Sequence, residues 1–370
     1  MNSDIILVIV VATALAFDFT NGFHDTANSV ATSISTRALA PRTAVALAAV
    51  LNFVGAFISL EVAATVAGGI VDAEIVTTTV IFAGLIGAIT WNLATWYFGL
   101  PSSSSHALIG GVVGAAFAAE GSKAVLSAGL LEKVIVPAVV APIVAFLVAA
   151  AAILITYRMV GRLPPGPVKR GYRRGQLVSA SLLSLSHGTN DAQKTMGIIT
   201  LALIAHGTLN GTNPDPPTWV VVSAATAIAL GTYSGGWRII RTMGSRIFKM
   251  DPAQGFAAQS GGAAVLLTAA HLGFPLSTTH SITGAVLGAG AAKRVSAVRW
   301  GLAGNIFLAW ILTLPAAALV GASTYGCSRI FGTGALGPLL ISISLIALMT
   351  AMFGKRLRRG PALTTAPVDA

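Results

Sequence analysis

Ten residues from Thr20 to Ser29, TNGFHDTANS, follow directly on the apolar run IILVIVVATALAF. Set on a helix, Asp18, Asn21, Asp25 and Asn28 fall at i, i+3, i+7 and i+10 and form one polar stripe. A charge near the middle of a membrane span costs at least roughly 2.5–3.5 kcal/mol on insertion scales, so it persists where it meets a ligand, water or a partner. A second string, SHGTNDAQKT (186–195), repeats the pattern. It aligns Gly22 with Gly188, His24 with Asn190, Asp25 with Asp191, Asn28 with Lys194 and Ser29 with Thr195. Ser184, His187, Asp191 and Lys194 then occupy the same stripe. The plainer reading is a structural Asp191–Lys194 pair at i, i+3. Gly22 and Gly188 suit either a helix break, which exposes carbonyls to a cation and amides to an anion, or a close helix crossing.

The other duplicated strings are GLPSSSSHALIG (99–110) and GFPLSTTHSITG (273–284). Both read G-x-P-x-[ST]-[ST]-[ST]-H-x-x-x-G. Proline at the first helical position loses no bonded amide, and a helix N-terminus with free N–H groups attracts anions. Ser103, Ser104 and Ser105, with Ser277, Thr278 and Thr279, add hydroxyl donors suited to a tetrahedral oxyanion. Such hydroxyls also bond to the preceding turn or glue helices together, but duplication of the whole string favours a site. His106 and His280 lie about a turn further in and could orient hydroxyls, relay protons or cap neighbours. Glu61 has no counterpart in the other half, and Asn52, Asn92, Gln254, Gln259 and Asn305 read as helix glue.

The elements that must position these groups are membrane helices. Of 370 residues, 55% are hydrophobic and 9% charged, at a mean hydropathy of +0.80, against about 25% charged in soluble domains. The expected fold is an all-α integral membrane protein of about 10–12 transmembrane helices, some broken or re-entrant, in two inverted-topology repeats. The net charge of +11 does not point to nucleic acid, because the basic residues gather in short gaps between apolar runs. That is the pattern of cytoplasmic loops, with membrane lipid as the surroundings. The N-terminus lacks the basic stretch of a signal peptide and reads as the first span. It is expected outside and the C-terminus in the cytoplasm of a multi-pass plasma-membrane (inner-membrane) protein.

The expected organisation is an N-terminal repeat over 1–157 and a basic, Pro- and Gly-rich cytoplasmic linker over 158–175. A C-terminal repeat over 176–325, a terminal helix over 326–354 and a disordered basic tail over 355–370 follow. Within the first repeat, 43–66 reads as a single span. Five crossings precede the linker, so equivalent motifs run in opposite directions, the mark of transporters that bind substrate between inverted halves. The single Cys327 excludes an intramolecular disulfide. No G-x-S-x-G or H-E-x-x-H occurs, which argues against an intramembrane hydrolase. The chain reads as no enzyme, with no cofactor and no permanently bound metal. A channel with paired histidines is the remaining alternative class.

The four strings resemble the PiT family of inorganic phosphate transporters, whose duplicated signature G-[AFT]-[NH]-D-x-x-[NK] reads here as GFHDTAN and GTNDAQK. The resemblance covers nearly the whole chain. Histidine before the first aspartate is similar to the bacterial low-affinity branch, and the long soluble insert of some members is absent. The resemblance implies uptake of inorganic phosphate, in bacterial members often as a neutral divalent-metal phosphate. It places phosphate between the repeats, with cations beside the aspartates. Asn28, Lys194, Ser103, Ser104, Ser105, Ser277, Thr278 and Thr279 would then hold substrate. Asp25, Asp191, His24 and Asn190 would handle a coupling H+ or Na+, and Asp18, Asn21, Gly22, Gly188, His106 and His280 would support them. A homodimer is compatible with the family. Sulfate is the chief rival substrate, because another tetrahedral oxyanion could use the same hydroxyls.

Overall fold

The computed structural model describes residues 2–210 and 215–358, and among these the regular elements are all helices. The first half runs through α1 (Asn2–Ser35), α2 (Pro41–Gly55), α3 (Glu61–Gly68), α4 (Thr78–Phe98) and α5 (Ser104–Glu120). A short α6 (Ser127–Leu130) then passes through a π turn into α7 (Val136–Val160). The second half runs through α8 (Pro165–Ala205), α9 (Thr218–Ser234), α10 (Trp237–Arg241), α11 (Pro252–His271), α12 (Thr278–Ala291) and α13 (Trp300–Ile330), and α14 (Leu336–Arg358) follows. By length and composition four helical stretches can cross a membrane: Ser3–Ser35, Thr78–Phe98, Ser127–Val160 and Trp300–Ile330. The bent pair Thr218–Ser234 and Trp237–Arg246, at 60°, makes a fifth if it is one span. The other spans expected from hydropathy form shorter or more polar helices, such as α5 with 17 residues and α12 with 14.

Two expected segments differ. The single span over 43–66 is broken between α2 and α3. A broken helix inside a membrane must satisfy its freed backbone groups from neighbouring protein. Here Gln193 of α8 does so: its Oε1 accepts the N–H groups of Val62 (2.9 Å) and Ala63 (3.2 Å) at the start of α3. In the expected linker, 165–175 form the first turns of the 41-residue α8, opened by Pro165 at a position where its missing N–H is harmless. Residues 359–370 of the expected disordered tail lie outside the described residues; 355–358 continue α14.

α1 and α8 carry the two polar stripes and run antiparallel. Asp4 pairs with His206 (3.3 Å) at one end, and Thr36 donates to Gln176 (2.7 Å) at the other. Equivalent helices of opposite direction are the geometry of inverted repeats. The halves also exchange partners: α5 packs on α13, and α12 on its counterpart α7. Gly110 meets the Leu314 carbonyl and Gly284 the Pro142 carbonyl at these crossings, approaches that leave no room for a Cβ. Neither repeat could bury its motif helix alone.

Candidate substrate site

The middle of α1, the middle of α8 and the first turns of α5 and α12 meet in the protein interior. The helices carrying Gly22 and Gly188 continue unbroken through them. Of the two readings of these glycines, close crossing is the one realised: Gly22 faces the Ile228 carbonyl of α9, and Gly188 faces Asn52 of α2. Bulk at either position would push the helix that carries the site away from its support.

Pro101 and Pro275 do not start the motif helices, contrary to expectation. Each lies two residues before the N-cap, because Ser103 and Ser277 cap instead, accepting the N–H groups of His106 (3.1 Å) and His280 (3.2 Å). A serine oxygen there satisfies an amide that the helix itself cannot. Ser103 and Ser277 thus build the helix starts, while Ser104, Ser105, Thr278 and Thr279 present hydroxyls to the centre.

The polar contacts cross between halves. Asn28 of α1 donates from its amide to Thr278 (3.2 Å) and Thr279 (3.0 Å) of α12. Thr279 in turn donates to Asp25 (3.3 Å), and Thr278 to Asp191 (3.1 Å). In the other direction, Lys194 of α8 donates to Ser105 (2.5 Å) at the start of α5 and to the Leu276 carbonyl (2.7 Å). It also pairs with Asp191 at 2.5 Å. One ammonium group therefore makes the i, i+3 pair and also reaches Ser105 and the Leu276 carbonyl. Lys194 is only 1% exposed, so its charge is buried and depends on these partners.

The two halves differ around the aspartates. His24 holds Asp25 through Nδ1 (2.6 Å) and reaches Thr95 through Nε2 (3.1 Å), and Ser102 donates to Thr95 (2.8 Å). Its counterpart Asn190 donates to the Phe274 carbonyl (3.1 Å). Asp191 is met instead by His187, whose Nε2 lies 3.0 Å from the carboxylate. Ligand atoms of Asp25, His187 and Asp191 lie within 4.8 Å of one another, all buried. Two carboxylate oxygens and one imidazole nitrogen suit a divalent cation. Asp18 is fully buried beside Thr195 and Asn21, one step further along the stripe.

His106 and His280 directly follow the centre hydroxyls of Ser105 and Thr279 in the chain and border a cavity. Their rings meet at 4.7 Å, His280 stacks on Trp310 at 4.0 Å, and both line an apolar cavity of about 490 Å³ between α5, α7, α12 and α13. Sequence reasoning placed His187 on the stripe without giving it a role. It missed Thr95, which belongs to no motif, and the Leu276 carbonyl, which no side-chain pattern can reveal.

A model of the phosphate transporter family matches residues 21–166 and again 164–321, the two halves in turn. The chain belongs to that family. It is 56% identical over 356 residues to a probable low-affinity inorganic phosphate transporter of Mycobacterium tuberculosis (strain ATCC 25618 / H37Rv), spanning 96% of this chain and 85% of the relative. A relative of the same description from Bacillus subtilis (strain 168) is 47% identical over 87% of this chain and 96% of its own length. Among solved structures, one described as the sodium-dependent phosphate transporter superposes with a TM-score of 0.79 at 25% identity, covering 88% of this chain and 99% of its own. The family expectation of an all-helical phosphate transporter, and of no enzyme, stands.

Proposed function

We propose that the chain is a secondary active symporter that takes up inorganic phosphate together with a cation or proton. One observation carries this reading. An ammonium (Lys194), an amide (Asn28) and the hydroxyls of Ser105, Thr278 and Thr279, drawn from both repeats, converge beside two buried carboxylates. The donors suit phosphate oxygens. The carboxylates repel an anion unless a proton or cation accompanies it, so coupling follows from the composition of the site. A protonated phosphate can also donate a hydrogen bond to Asp25 or Asp191, which sulfate, lacking a proton at neutral pH, cannot.

Two carriers of positive charge fit. A proton suits the His24–Asp25 pair, and a divalent ion suits Asp25, His187 and Asp191, consistent with uptake of phosphate as a metal complex. Sodium is the ion in the name of the structural relative. The residues of the centre are buried, so substrate must enter and leave by rearrangement of the repeats, in alternating access. The basic gaps support a plasma-membrane protein with its N-terminus outside and its C-terminus in the cytoplasm.

Radiolabelled phosphate uptake into proteoliposomes tests the reading, with proton, sodium and divalent-ion gradients imposed in turn. At least one gradient is expected to drive uptake above equilibration. Uptake indifferent to all three would overturn symport, and equal competition by sulfate would overturn phosphate selectivity.

A further inference from the structure

Where α7 gives way to α8, six exposed cationic side chains crowd one end of the molecule: Arg158, Arg162, Lys169, Arg170, Arg173 and Arg174. Among the described residues none of them pairs with an acidic group. Asp251, which follows in the chain before α11, is already engaged: it accepts from Tyr157 (3.1 Å) and pairs with Lys293 (3.3 Å). The first turns of α8 are sharply amphipathic. Lys169, Arg170, Arg173 and Arg174 take one face, while Val168, Gly171, Tyr172 and Gly175, at i, i+3, i+4 and i+7, take another.

The second face lines a groove of about 450 Å³, completed by Val160, Leu163, Pro167 and Phe256. Tyr172 and Phe256 meet edge to face at 5.6 Å within it, and the ring of Phe256 packs closely on Gly175, where a Cβ would crowd it. Around it, Ile155, Met159, Leu163 and Val178 are exposed apolar side chains on the same stretch from α7 into α8.

We infer that this junction seats an anionic phospholipid, its phosphodiester headgroup against the cationic face of α8 and its acyl chains in the groove. The two halves of the surface require that occupant. Exposed, screened lysines and arginines hold a free anion weakly, whereas an amphiphile adds burial of its tails. Clusters of four to eight basic residues beside a membrane helix attract anionic lipid surfaces, and the apolar groove here turns a general attraction into a seat. The lipid would brace the helix junction through which one repeat leads into the other, far from the buried phosphate centre.

The test follows thermal unfolding of the purified full chain in neutral detergent, with dioleoyl phosphatidylglycerol or dioleoyl phosphatidylcholine added. The anionic lipid is expected to raise the midpoint by several degrees and the zwitterionic lipid to leave it unchanged, the signature of a ligand held by the folded state. The shift should vanish in the combined Lys169→Gln, Arg170→Gln, Arg173→Gln, Arg174→Gln variant. On the unmodified protein it should shrink in roughly 0.5 M salt, where screening shortens to a few Å. Val168→Asp, a carboxylate set between tails and cations, should reduce the shift as well. Inorganic phosphate, added as a third probe, is expected to act equally on the unmodified protein and on the combined variant. Equal stabilisation by both lipids, or an anionic-lipid shift that survives salt, would overturn the proposal.

Discussion

Lys194 is the residue on which the centre depends most, because one ammonium group joins Asp191, Ser105 and the Leu276 carbonyl. Hydrogen bonds to a charged group contribute about 1.5–3 kcal/mol. Lys194→Met is therefore expected to raise the phosphate KM by roughly 10- to 100-fold, measured as initial uptake against phosphate concentration. In the proposed symport the aspartates answer to the accompanying positive charge. Asp25→Asn and Asp191→Asn should each abolish gradient-driven uptake while membrane insertion and yield stay normal. Retention of full coupled uptake in either variant would remove that carboxylate from the coupling role. Both polar strings are legible in the sequence because a charge at membrane depth is rare and costly. Thr95 was not legible: a lone threonine in an apolar helix reads as one more backbone-bonded hydroxyl, and only the fold brings His24 to it.

At the scale of elements, caps and broken segments carry the specific predictions. Ser277→Ala and Ser103→Ala remove an N-cap and should each lower stability by about 1 kcal/mol, with a smaller effect on KM than the loss of Thr279 or Lys194. Gln193→Ala leaves the Val62 and Ala63 amides without an acceptor in a dry interior. A buried amide left unpaired costs about 1–3 kcal/mol, so the variant should show a clearly lower unfolding midpoint than the unmodified protein. The break between α2 and α3 escaped the sequence reading for the same reason. Hydropathy reports that a segment is apolar, while the group that satisfies a broken backbone comes from another helix. The motif helices start three residues later than the prolines suggest, because a serine cap outcompetes the proline as the point where helical bonding begins.

At the scale of the whole molecule, antiparallel α1 and α8 place equivalent motifs on one centre from opposite directions. The orientation is tested with membrane-impermeant maleimide on a Cys327→Ser background, since Cys327 is exposed. A cysteine at Ser3 should label on intact cells, and one at Arg170 only after permeabilisation. The opposite pattern would reverse the topology. The exchange of α5 and α12 between halves means that the repeats cannot move as two separate bodies cut at the linker. Any alternating motion must instead divide the molecule into groups that each mix both halves.

The sequence by itself determined that this is a helical membrane protein, that its polar residues come as two inverted sets, and that those sets suit an oxyanion with a positive companion. Periodicity, duplication and the cost of buried charge are local properties, so they survive in one dimension. The tertiary structure decided which side chains meet: Asn28 with Thr278 and Thr279, Lys194 with Ser105, and His187 with the aspartates. It also brought His106 and His280 together on one apolar cavity. Those outcomes depend on how far antiparallel helices slide past one another and on which glycines let them approach, and neither is written in the spacing of any single helix.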